Sequence, residues 1–121
     1  MAEQAPTQRR ILHIHTGTPE ARDVLKALAS EPRLRILDLL SEQVLNVSEI
    51  AQALDMPPST ATLHVSALEE AGLVKSELQP ATRGLQKVCA RSYDNVLVEL
   101  PRASRMTEQT MTLSMPIGAY V

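Results

Sequence analysis

A chain of 121 residues suits one domain with its own core and is short for two. It has no Phe, no Trp and only two tyrosines, so aliphatic side chains must fill the core, which favours packed helices over a β-sandwich, and a single cysteine excludes an internal disulfide. The formal net charge is −2, residues 1–10 carry no signal-peptide-like apolar run and no apolar stretch nears the roughly 18 residues of a membrane span, so a uniformly basic nucleic-acid binder and a membrane protein are disfavoured and a cytoplasmic location is expected.

In chain order, residues 1–10 are polar without periodicity and read as a disordered tail. Ile11 to His15 alternates weakly, as a short strand would, before Gly17 breaks the chain. Thr18-Pro19-Glu20 supplies a cap, a proline for the first helical position and an acid for the positive end of the dipole. Ala21, Val24, Leu25 and Leu28 then form one apolar stripe. Ser30-Glu31-Pro32 interrupts and restarts the chain, and the helix expected from about Arg33 to Ser41 is apolar on most sides, as a central helix would be.

Asn46 followed by Glu49 predicts a capping box, and Val47, Ile50, Ala51 and Leu54 give the buried stripe of the helix it starts. Asp55-Met56-Pro57-Pro58 is a tight break, because neither proline can continue that helix. A further helix is expected from Ser59 to Ala71, stopped at Gly72. Leu73 to Leu78 and Leu85 to Tyr93 read as paired strands around a turn at Gln79 to Gly84. Asn95 to Leu100 is another β-like run ended by Pro101, and Met111 to Met115 alternates again after a polar stretch. The expected division is a tail (1–10), one domain (11–93) and a β-like extension (94–121), the last read as the start of a C-terminal effector domain continuing beyond Val121.

Two helices across a tight break, followed by a hairpin, predict a mainly α fold with a small β wing: a winged helix-turn-helix, with extra β-like segments at both ends. In such a motif the second helix lies in the major groove. On its helical wheel Ala61, Val65 and Leu68 share one side, flanked by His64, while Ser59, Thr62, Leu63 and Ser66 share the other. Short hydroxyl side chains let a helix sit deep in a groove about 12 Å wide, and Leu63 offers apolar contact to a thymine methyl. The bland reading of the same pattern is an amphipathic helix with a hydroxyl-rich solvent face.

Charge is unevenly placed. Val47 to Gly72 has four acids (Glu49, Asp55, Glu69, Glu70) and no Lys or Arg, whereas Leu73 to Tyr93 has Lys75, Arg83, Lys87 and Arg91 against Glu77. Phosphate contacts are therefore expected from the wing, with Arg83 at its tip and Lys87 behind it, from Arg33 or Arg35, and from helix N-termini. The alternative for these bases is plain solvation. The acidic helix pair keeps open a second function, a winged helix used for protein–protein contact without DNA.

The runs LKALASEPRLRILDLL and NVSEIAQALDMPPSTATLHVSALEEAGLVKSE resemble the ArsR-like repressors. The likeness spans about Asp23 to Tyr93 and rests on Leu28-Ala29-Ser30, Arg33-Leu34-Arg35-Ile36-Leu37, Val47-Ser48-Glu49-Ile50-Ala51, Ser59-Thr60-Ala61-Thr62-Leu63-His64 and Ala71-Gly72-Leu73-Val74. The resemblance implies a homodimeric repressor on a double-stranded operator, released by an effector bound outside the motif. It carries DNA-contact roles to Ser59, Thr60, Thr62, Leu63 and Ser66. Three departures stand out. Pro57 occupies a position where the family often has a capping Ser, Leu63 replaces a frequent polar residue, and Leu45-Asn46-Val47-Ser48 lacks the Cys-x-Cys pair of the metal-sensing members. Residues 94–121 also read as strands and loops where the family has a closing dimerisation helix, so a dimer is expected to close through the Thr18–Ala29 helix and β elements.

Other chemistry is thin. His13 and His15 share one strand face and could ligate a metal with Cys89 or His64, but they read first as surface imidazoles, so no metal and no cofactor are expected. His64 reads as a packing residue and Cys89 as a small apolar one. No phosphate loop or nucleophile elbow is present, and no enzymatic activity is expected.

Overall fold

The computed structural model describes residues 9–102. The alternation expected at Met111 to Met115 lies outside them. Strand β1 (Ile11–His15) leads into helix α1 (Pro19–Leu28), whose start is set by Thr18: its side chain accepts from the Ala21 N–H, and Pro19 occupies the first turn. Helix α2 (Glu31–Leu39) begins two residues before the expected start. The Ser30 hydroxyl caps it by accepting from the Arg33 N–H, and Pro32 falls within the first turn, where a missing N–H costs nothing. The restart expected at Ser30-Glu31-Pro32 is this cap and first turn.

A two-residue strand, β2 (Leu45–Asn46), precedes α3 (Val47–Leu54). The capping box is complete: Asn46 Oδ1 accepts from the Glu49 N–H at 2.8 Å, and Glu49 Oε1 accepts from the Asn46 N–H at 2.8 Å. Asp55 turns the chain in the left-handed region (φ 56°), and α4 (Pro58–Glu70) follows at once. No side chain caps α4 at Pro57. Gly72, at φ 79°, ends the helical segment in a conformation that glycine adopts without the steric cost of a Cβ.

The wing is β3 (Val74–Pro80) and β4 (Leu85–Arg91), antiparallel from Val74↔Arg91 to Pro80↔Leu85. β3 runs through Pro80, past the expected turn start. In the order β2-β4-β3 it is an edge strand, where a proline interrupts no ladder. β5 (Asn95–Glu99), assigned by sequence to the extension, pairs in parallel with β1 from Ile11↔Asn95 to His15↔Glu99. Nothing local in either segment signals this pairing.

The core lies between the helices and the wing's inner face. Ile36, Ile50, Ala61, Val65, Leu68 and Cys89 are fully buried, joined by Leu37, Leu40, Leu73 and Val74. Among the described residues no helix is long and apolar enough to cross a membrane.

Candidate nucleic-acid interface

Helix α4 is divided as the wheel requires. Ala61, Val65 and Leu68 have no exposed surface, which anchors the helix against α2, α3 and β3. On the opposite side Ser59 and Thr62 are exposed, Leu63 is 71% exposed, and Thr60 and Ser66 are half-buried at the flanks. The Thr62 hydroxyl donates to the Pro58 carbonyl at 2.9 Å, which leaves its lone pairs outward as acceptors.

The bases divide into free and engaged. Arg83 is exposed at the wing tip beside Gly84 (φ 67°), and Lys75 is exposed on β3; among the described residues neither side chain has a hydrogen bond or ion pair. Lys87 instead binds Glu69 at 2.8 Å, and Arg91 reaches the Leu37 carbonyl at 3.3 Å and Asp94 at 3.5 Å. Arg33 is committed too. Its Nε donates to the Ala27 carbonyl at 2.8 Å and its Nη2 to that of Lys26 at 3.2 Å, closing the C-terminus of α1. Its Nη1 lies 3.4 Å from His64 Nδ1. A guanidinium only donates, so Nδ1 is the acceptor in this contact. His64 thus packs α4 against α1 through Arg33, half-buried as a packing residue would be. Arg35 on α2 is exposed with no side-chain partner among the described residues.

Glu69 explains how an acidic helix can stand behind a basic wing. Its carboxylate receives Lys87 and the Ser76 hydroxyl, both from the wing. Burial alone would raise its pKa, but the hydrogen bonds from Lys87 and Ser76 and the Lys87 charge outweigh burial and hold it below its usual range. A carboxylate with a depressed folded pKa contributes stability above its unfolded value, about 4.3, and that contribution disappears as pH falls through the folded value. Glu69→Gln is therefore expected to cost stability at neutral pH and to flatten the acid limb of the stability profile below about pH 4.3, as urea titrations across pH would show. Cys89, fully buried against Ser76 Oγ at 3.7 Å, has its thiol pushed up by burial, as an inert core cysteine would.

Sequence reasoning missed two connections. One is the Ser76–Glu69–Lys87 contact, which joins the end of α4 to the wing. The other is on the outer face of β1, where His13 and His15 meet Glu99 rather than Cys89 or His64. Both partners lie across the tertiary structure, and no spacing rule reaches them.

The pattern of the bacterial regulatory protein family arsR matches residues 30–76, from the cap of α2 into β3. The transcriptional activator HlyU of Vibrio cholerae is 36% identical over 59 residues, 49% of this chain, and the match spans about half of that protein's length (55%). A crystal structure of a fragment (residues 1–100) described as a possible transcriptional regulatory protein from Mycobacterium bovis is 35% identical, covering 60% of this chain and 73% of that one, with a TM-score of 0.54. Its solution structure is described as a homodimeric winged helix-turn-helix DNA-binding domain of a possible ArsR-family transcriptional regulator, with 63% of that chain covered and a TM-score of 0.54. Reduced HlyU from Vibrio cholerae is 30% identical over 64% of this chain and 77% of that one, with a TM-score of 0.55. With four helices and a three-stranded antiparallel sheet among the described residues, and with these likenesses, the chain is a winged helix-turn-helix protein that belongs to the ArsR family of bacterial regulatory proteins.

Proposed function

We propose that this protein is a transcriptional regulator that binds double-stranded DNA as a homodimer, represses by occupying its operator, and is released when an effector binds outside the motif. One observation carries the reading: α4 buries Ala61, Val65 and Leu68 completely while presenting Ser59, Thr62 and Leu63 to solvent. Ser59, Thr60, Thr62, Leu63 and Ser66 form the groove-facing set, with Leu63 suited to a thymine methyl. Arg83 reaches the backbone or minor groove from the wing tip. Arg33 and Lys87, engaged in internal contacts, act from behind the surface: Arg33 by fixing α4 against α1, and Lys87 by neutralising Glu69. Two-fold symmetry places half-sites about 34–36 Å apart.

The protein–protein reading drew its support from the acidic helices. Glu69, the acid that most needed explaining, is paired with Lys87, which weakens that argument. A gel shift on genomic fragments at low salt separates the two readings, and absence of any shift would refute the DNA reading. If each protomer neutralises four phosphates, the salt slope of a dimer is about −7. Arg83→Ala is expected to flatten it by about 2, one phosphate per protomer, and to weaken all sites alike; an unchanged slope would remove the wing tip from DNA.

A further inference from the structure

We propose that His13, His15 and Glu99 form a binding site for a first-row divalent metal ion, with zinc as the best-fitting case, that fastens β1 to β5. The inference goes beyond DNA binding and does not depend on it. One ligand atom from each of the three side chains lies within 4.8 Å of the others. Glu99 Oε1 is 2.7 Å from His13 Nε2 and 3.7 Å from His15 Nδ1. The two imidazoles stack with centroids 4.7 Å apart at 29°. Ligands about 2.0–2.1 Å from a tetrahedral zinc stand about 3.4 Å from one another, so small side-chain rotations convert the observed cluster into a coordination sphere.

The backbone sets this up. His13 and His15 alternate with the inward Leu12 and Ile14, so both project from the outer face of β1, and the parallel register puts Glu99 opposite His15. The backbone there is fixed, since the Thr16 N–H donates to the Glu99 carbonyl at 3.0 Å. The side chains remain accessible, with 45%, 61% and 45% of their surfaces exposed for His13, His15 and Glu99. Glu20, Asp23 and Glu70 line the shallow depression alongside the two imidazoles and bias it toward cations.

Two imidazoles and one carboxylate suit a borderline cation such as Zn²⁺ and are too nitrogen-rich for Mg²⁺ or Ca²⁺. Three protein ligands leave a position for water. Because His15 and Glu99 are separated by most of the chain, the ion would bind only where β1 and β5 are paired, and so would stabilise that pairing.

The test uses the full 121-residue chain and zinc alone. Calorimetry against a competing chelator is expected to show one zinc per chain, and Co²⁺ substitution to give the d–d absorption of a low-coordinate nitrogen/oxygen site. Glu99→Gln and the double variant His13→Gln/His15→Gln should each weaken binding at least tenfold, since even outer-shell partners carry 10–100-fold. Zinc should raise the Tm of the wild type and not that of the double variant. All three positions are exposed, so circular dichroism of the variants should match the wild type. Absence of saturable binding, affinity unchanged in both variants, or half an equivalent of zinc accompanied by metal-dependent dimerisation would each overturn the three-ligand site within one chain.

Discussion

Leu68→Ala is expected to lower the free energy of unfolding by about 3–4 kcal/mol, read as a fall in the urea midpoint at constant m. Leu68 has no exposed surface and sits where α4 meets the rest of the core. Its own carbonyl accepts from the Leu73 N–H at 2.9 Å, so the side chain lies just ahead of the turn that launches the wing. Removing three carbons there loses their transfer energy and leaves a cavity that rigid helices close only in part. Against a total stability of about 5–15 kcal/mol for a domain, that is a large fraction. Leu63→Ala, on the same helix but 71% exposed, is expected to change stability by no more than about 0.5 kcal/mol. Similar losses at the two positions would mean that α4 is not seated as described.

Thr62→Glu is expected to weaken DNA binding at least about 100-fold, close to 3 kcal/mol, while leaving stability and circular dichroism nearly unchanged. Thr62 is exposed on α4, and glutamate is a better helix former than threonine, so the fold has no reason to object. In a groove, however, the new carboxylate would lie among phosphates in a poorly hydrated space, where like-charge juxtaposition costs several kcal/mol. Thr62→Ser, which keeps the hydroxyl, should retain most of the affinity. If the glutamate variant bound as tightly as the wild type, α4 would not be the helix in the groove.

The local rules performed well where a few adjacent residues decide the outcome. Thr18-Pro19, the Asn46/Glu49 capping box and the stop at Gly72 lie where their chemistry indicated, and the break at Asp55 ends one residue earlier than expected, with Pro58 as the first residue of α4, because each is a contest among backbone groups within one turn. Ser30-Glu31-Pro32 restarts the chain as expected, but the helix starts at Glu31 rather than Arg33 for an equally local reason: proline suits a helix's first turn, and the Ser30 cap places the start. The candidate groove face was legible for the same kind of reason, since the two sides of α4 differ in residue type at helical spacing.

What each basic side chain does was not legible. Arg33, Lys87, Arg83 and Lys75 are alike as letters. Only the packed structure turns Arg33 onto the last carbonyls of α1 and Lys87 onto Glu69, and leaves Arg83 and Lys75 without partners among the described residues. The pairing of β1 with β5, and with it the meeting of His13, His15 and Glu99, belongs to the same class. Helix starts, stops and faces follow from interactions three or four residues apart and are written in the chain. Long side chains and strand edges choose partners outside their own helical turn, 6 residues away for Arg33 and 18 for Lys87, by proximity, and proximity exists only once the core has closed.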